Sequence, residues 1–274
     1  MTKEISHNAP VTVRDVAAAI EAFAPLSCQE KWDNTGLQVG CPDARCTGVL
    51  VCVDVTPGVI AEAVERHCNM VVSHHPLLFH GLKTITGATP VEQAVIEALR
   101  NGVAVYSSHT ATDSVAGGVS HEMARRLGVT AEAVLEPLAG CGDGTLGLGV
   151  VGKLAEPLAT RMLVERVKET FSSPVARCSD PDLAPAAITR MAMCGGAGGS
   201  LIAAAVEAGA QAYLTSDLRY HDFTDWSSRI FLIDIGHYES EACSRDILSH
   251  VIARALPVLP VLVSRSQRNP IFYI

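Results

Sequence analysis

Basic charge is what this sequence most lacks. Lysine and arginine number 21 against 29 aspartates and glutamates, for a net charge of -8 at pH 7, and no Lys/Arg cluster interrupts that trend. Nucleic-acid binding therefore has no electrostatic footprint. Charge of either sign is sparse at 18%, while hydrophobic residues reach 48%, which excludes a disordered chain. No apolar run has membrane length. The nearest, from Ala192 to Leu214, is broken by Glu207 and several glycines and reads as strand, turn, helix and strand. The opening MTKEISHNAPVT lacks the apolar core of a signal peptide, so the expected compartment is the cytoplasm. The nine cysteines are odd in number and include no Cys-x-x-Cys pair. Several, such as Cys52 in VLVCVDV, fall inside apolar strands, and buried reduced thiols are expected.

What is present is alternation. The length of 274 residues favours two domains. TVRDVAAAIEAFAP carries a helical stripe at 13, 16, 17, 20 and 23, opened by Thr12 with Asp15 three places on and stopped by Pro25. GVLVCVDV, MVVS and VAVYSS read as strands, with helices opened by Thr56-Pro57, running from Pro90 to Arg100, and ending at Gly128. The second half repeats the grammar: TLGLGVVGKL, ITRMAMC, QAYLT, RIFLID and PVLVS as strands, LATRMLVERVKETF, LIAAAVEAG and Tyr238 to Leu256 as helices. The expected fold class is α/β, two α/β domains with mostly parallel mixed sheets. The stretch EPLAGCGDGT near 136–145 is the candidate linker. It places residues 1–135 with 232–274 in one domain and 136–231 in the other.

Three apolar strands end in metal-binding chemistry. VVS runs into His74-His75, VAVYSS into His109 and then Asp113, and RIFLIDIG into His237 and then Glu241. Open α/β sheets form their sites beyond the strand carboxyl ends, so these groups are delivered to one kind of edge. Pro76 ends the strand at the histidine pair, and the expectation is that the two imidazoles reach different sides of a crevice. His237 and Glu241 are spaced i, i+4, on one face of a helical turn. If Glu241 bridges, one ion has His75, Asp113 and Glu241, and a second has His74, His237 and Glu241. Three protein ligands with open positions is the pattern of a catalytic metal. Mixed imidazole and carboxylate donors suit Zn, Fe, Mn or Co.

Other features leave alternatives open. GGAGGS between a strand and a helix either presents N–H groups to a phosphate or allows close packing. Asp217 and His221, also i, i+4, are either an acid–base pair or a capping and surface pair. WDN at 32–34 reads as a structural turn with Trp32 buried and Asp33 or Asn34 capping. His7, His67, His80, His121 and His250 lack such context and are expected on surfaces or helix faces.

Six ordered stretches, WDNTGLQVG (32–40), SHHPLLFHG (73–81), SSHTATDSVAGG (107–118), MCGGAGGS (193–200), YLTSDLRYHD (213–222) and DIGHYESE (234–241), resemble the Nif-three-like family, from about residue 11 to the final NPIFYI. The resemblance implies two α/β domains and a dinuclear metal centre at strand carboxyl ends in the inter-domain cleft. Its ligands fall on His74, His75, Asp113, His237 and Glu241. It also implies GTP cyclohydrolase type 2-like chemistry and homohexameric assembly. His109 matches the family's histidine just before the aspartate, as a contact to substrate or ligand or as a ligand itself. One departure is the stretch GCGDGTLGLG, which lacks the family's arginine. The function expected is that of a hydrolase with two divalent ions per chain and an anionic small-molecule substrate, possibly a nucleotide. The candidate catalytic residues are His109, His221 and Asp217. The rival is a non-catalytic metal-binding assembly or interaction scaffold.

Overall fold

The computed structural model describes residues 10–138 and 144–274; the middle of the expected linker, 139–143, lies outside the described residues. In chain order the strands are β1 (Gly36–Val39), β2 (Val49–Cys52), β3 (Met70–Ser73), β4 (Ala104–Ser107), β5 (Val129–Pro137), β6 (Gly147–Ala159), β7 (Arg177–Cys178), β8 (Ala187–Ala197), β9 (Ala212–Ser216), β10 (Phe231–Asp234) and β11 (Val261–Val263). The chain forms two compact units, one reaching Ala111 and including Arg245–Arg268, the other Thr112–Ser244 with Asn269–Ile274. This differs from the expected division at 135 and 232. β5 pairs with β6, and β10 pairs with β9, so both segments belong to the second sheet. Among the described residues no helix is long and apolar enough to cross a membrane.

The first unit is built on the order β1-β4-β3-β2-β11, in which β4, β3, β2 and β11 run parallel and β1 is an antiparallel edge. Every residue of β2, β3 and β4 is buried, as a parallel sheet covered on both faces requires. Alternate residues sort accordingly. Val49, Val51, Met70, Val72 and Tyr106 pack with Val13, Val16 and Ile20 of the first helix and with Leu248 and Ile252. Leu50, Cys52, Val71 and Val105 pack with Val59, Ile60, Val95 and Ala98 on the other face. The Val13–Phe23 helix opens with the reciprocal cap read from its sequence, Thr12 accepting from the Asp15 amide while the Asp15 carboxylate accepts from the Thr12 amide at 2.8 Å.

The second unit is more antiparallel than the alternation suggested, with order β5-β6-β8-β9-β10-β7 and parallel pairing only at β8/β9 and β9/β10. β5 escaped sequence reading because only Val129 and Leu135 of its residues are buried, leaving no period of two. The helix Tyr220–Trp226 escaped for a like reason, since Asp222 is its one buried residue. The single helix expected from Tyr238 to Leu256 is two, His237–Glu241 and Ser244–Ala255. Of the described cysteines, Cys41 is exposed and Cys178 partly so; the rest are buried thiols, as expected.

Within the first unit a buried carboxylate fastens the C-terminal strand. Glu62, on the helix Pro57–Glu65, accepts from Ser264 Oγ and Ser266 Oγ at 2.6 Å each, from the backbone of Arg265 and Ser266 at 2.9 Å, and from Arg66 at 2.7 Å. Burial pushes its pKa up, but the hydrogen bonds from Ser264, Ser266 and the Arg265 amide outweigh it and hold the carboxyl well below the usual range. Glu62→Gln, unable to accept all of these, should cost about 2–4 kcal/mol at pH 7 in chemical denaturation. Because the folded pKa is depressed, the stabilisation is full above the unfolded value near pH ~4.3 and fades as pH falls below it. A stability gap between wild type and Glu62→Gln that stays constant from pH 7 to pH 3 would contradict this account.

Candidate metal centre

Regular pairing in β3 stops at Ser73, although the amides of His74 and His75 still bond to the Cys52 and Val53 carbonyls at 3.1 and 2.9 Å. Beyond that point, with Pro76 next, the alternation of faces lapses. The imidazoles of His74 and His75 lie 5.1 Å apart between centroids, tilted by 40°, and do not point to opposite sides as expected. His109, just past β4, joins them at 5.2 and 5.4 Å. One ring nitrogen of each of the three lies within 4.8 Å of the others, so His109 is as well placed to ligate as the pair.

The other nitrogen of each ring is spoken for. His74 Nδ1 lies 3.2 Å from the Ser108 carbonyl, His75 Nδ1 2.8 Å from Asp54, and His109 Nδ1 2.9 Å from Asp33. A carbonyl or ionised carboxylate only accepts, so each Nδ1 carries the proton and each Nε2 offers its lone pair. Asp33 is the most completely held of these supports, with no exposed side-chain area. It also accepts from Thr110 N at 3.0 Å, Thr110 Oγ1 at 2.5 Å and Thr35 Oγ1 at 3.1 Å. Burial raises its pKa, and the hydrogen bonds from His109 and Thr110 more than reverse that and hold the carboxyl well below the usual range. WDN is thus more than a turn: Asp33 positions His109, and Trp32 is exposed, contrary to expectation.

The second unit holds a matching arrangement. His237 and Glu241 sit one turn apart on a short helix, Nε2 to Oε2 3.0 Å, and His237 Nδ1 lies 2.7 Å from Asp217. Asp217 therefore serves His237, not His221. The i, i+4 pairing read from sequence needs both residues on one helix, and that helix begins only at Tyr220. Asp217 reaches its partner from φ +57°, a left-handed conformation that Asp tolerates better than most residues. His221 is exposed and its carbonyl accepts from Thr224. Asp113 ends the helix Thr110–Asp113 and belongs to this unit. Burial, then the Asp113 and Glu241 charges, push the Cys194 thiol on β8 up to about 12.

That strand end answers the open question about GGAGGS. Gly196, at φ +64°, lies so close to the turn that a Cβ there would be 2.1 Å from Glu241 Oε1 and 3.4 Å from His237 Cε1. The glycine lets the backbone pass against the ligand pair, and the close-packing reading holds. In the first unit His74, His75 and His109 each have Nδ1 anchored on oxygen, and in the second His237 and Glu241 stand together one turn apart; imidazole and carboxylate donors of this kind suit a divalent transition ion.

Two glycines test the cradle. Gly196 and Gly209 (φ +74°) have similar backbones, but a Cβ on Gly209 meets nothing within 4 Å. Alanine at either should cost about 1–2 kcal/mol of left-handed strain. Only Gly196→Ala should displace the Glu241 carboxylate and lower bound metal in elemental analysis. Equal metal content in the two variants would show that the cradle does not govern the ligand.

Comparison with known proteins agrees with this architecture. The profile of the Duf34/NIF3 (NGG1p interacting factor 3) family matches residues 11–270. The chain is 33% identical over 264 residues to the GTP cyclohydrolase 1 type 2 homolog of Clostridium acetobutylicum, covering 94% of this chain and 97% of that one. It is 35% identical over 265 residues to the protein of the same description from Lactococcus lactis, covering 96% and 99%. Among solved structures, Staphylococcus aureus protein SA1388 superposes with a TM-score of 0.89 at 24% identity, covering 97% of this chain and all of that one. A Bacillus cereus protein related to NIF3 gives 0.89 at 20%, with the same coverage. On the span of the family match and the identity of these relatives, the chain belongs to the Duf34/NIF3 family.

Proposed function

We propose that this chain is a dinuclear, metal-dependent hydrolase acting on an anionic, nucleotide-like substrate. The observation that carries the reading is the common anchoring of four imidazoles, His74, His75, His109 and His237, each with Nδ1 held on an oxygen, and Nε2 of His237 facing the Glu241 carboxylate at 3.0 Å. The name of the relatives, GTP cyclohydrolase 1 type 2 homolog, supports the substrate class. His74, His75, Asp113, His237 and Glu241 would hold the ions, with Glu241 shared. When bound, such ions supply Lewis acidity toward the substrate and toward water.

The chain's own residues supply the rest. His109, oriented by Asp33, is assigned to proton transfer at Nε2. His221, exposed on its helix, is the second candidate for moving a proton. Asp54 and Asp217 hold His75 and His237 in orientation and raise their strength as donors. Two divalent ions against Asp113 and Glu241 leave a formal excess of two positive charges, but Asp33, Asp54 and Asp217 lie directly behind the imidazoles and more than cancel it. Anionic substrate groups would then be held by open coordination positions rather than by net field. Assembly as a homohexamer, on the family resemblance, is part of the proposal.

Protein reloaded with Mn, Fe, Co or Zn should hydrolyse at least one nucleotide, and chelation should abolish turnover. No turnover with any metal across a broad panel would favour the metal-holding scaffold. Native mass spectrometry reads ligand sharing and subunit number together. Glu241→Ala should lose both ions, whereas Asp113→Ala should retain about one. Equal loss would contradict the bridging role of Glu241. His109→Ala should lower kcat by roughly 10²–10⁴-fold with metal content unchanged; loss of metal would instead make His109 a ligand.

A further inference from the structure

Aromatic residues are only 5% of this chain, yet two large rings stand exposed beside the histidine cluster. Trp32 is 58% exposed and Phe79 44% exposed, with centroids 5.9 Å apart and planes tilted by 59°. Both meet the His109 ring edge-on, at 5.9 and 6.5 Å, and His109 in turn meets His74 and His75. Single exposed apolar residues need no explanation, but a fixed pair against a polar cluster does.

The pair is fixed by amide side chains. Asn34 donates through Nδ2 to the Leu78 carbonyl at 2.7 Å, Gln38 accepts from the Leu78 amide at 2.9 Å, and Gln38 Nε2 donates to the Asn34 carbonyl at 2.6 Å. These three bonds clamp the loop carrying Trp32 to the turn carrying Phe79, two segments far apart in sequence. On the other side of Trp32, the buried Asp33 is anchored to His109 and Thr110. The rings are thus held in place before anything binds, which lowers the entropy cost of using them. Neither Asn34 nor Gln38 is idle in this frame, so what the surface offers a ligand is mainly π-face.

We infer that Trp32 and Phe79 form a stacking wall for the planar heteroaromatic ring of the substrate, a nucleobase, whose reacting part lies at the histidines. This rests on the proposed function and names the part of the substrate that confers specificity. A wall of this kind is tolerant of which base it receives, since every base has a π-face. Binding to the metal-loaded protein tests it, with guanosine 5′-monophosphate as the base-bearing probe and ribose 5-phosphate as the same anion without the base. Wild type should prefer the base-bearing probe. Trp32→Ala should weaken its binding by roughly 5- to 100-fold and leave ribose 5-phosphate unchanged. Phe79→Ala should act in the same sense, and Trp32→Phe should retain most of the preference. Trp32 is one of two tryptophans, so quenching of indole emission by the base-bearing probe, lost in Trp32→Ala, gives a direct second reading. Equal affinity for the two probes, equal loss of both, or no binding of either would overturn the wall. So would a Trp32→Ala variant whose only change is in subunit number, since the rings would then belong to a contact between copies. A nucleotide that binds with the base-dependent advantage but is not turned over would count against hydrolysis alone and leave the wall supported.

Discussion

A neutral imidazole has one nitrogen that donates and one that accepts, and a protein decides which by what it places against the ring. In this chain the Nδ1 side of the ring is held the same way at His74, His75, His109 and His237. An oxygen that can only accept sits at Nδ1, from the Ser108 backbone in one case and from Asp54, Asp33 and Asp217 in the others. Much of the local structure serves this arrangement. Gln267 supports Asp54 from beyond β11, Thr35 and Thr110 support Asp33, and Asp217 accepts a left-handed backbone to reach His237. Strain and buried charge are tolerated where they orient a donor.

The same arrangement sets the electrostatics. An acidic protein of net charge -8 sets Asp54 and Asp33 against His75 and His109 in one unit, and Asp217 and Glu241 against His237 in the other. Divalent cations are the natural counterweight, and without them the carboxylates would have only imidazolium and hydrogen bonds to balance their charge. Cys194, pushed up to about 12 by burial and then by Asp113 and Glu241, stays a thiol.

The sequence disclosed the elements that bury a face and concealed those that do not. β2, β3 and β4 were legible because each is apolar throughout, and the first helix because its stripe and cap are complete. β5 and the helix at Tyr220–Trp226 carry almost no buried residue and gave no period to read. The candidate ligands were visible as histidines and carboxylates just past strand ends. Their supports were harder to see. Asp54 is 21 residues from His75, Asp33 76 from His109, and Asp217 20 from His237, and nothing in local spacing links them. Asp217 even stood at helical spacing from the wrong histidine, because the spacing rule assumes a helix that begins later. Trp32 was misplaced for the opposite reason: large aromatics are usually buried, and this one is not.

The central claim is that the imidazoles meet metal through Nε2 while Nδ1 remains on its oxygen. Crystals of protein loaded with a single transition metal, with anomalous diffraction recorded at that metal's edge, test it directly. The account predicts two anomalous peaks per chain, with Nε2 of His74, His75 and His237 as ligand atoms and Nδ1 still bonded to Ser108, Asp54 and Asp217. A peak ligated through Nδ1, or loaded protein with no peak at these residues, would contradict it.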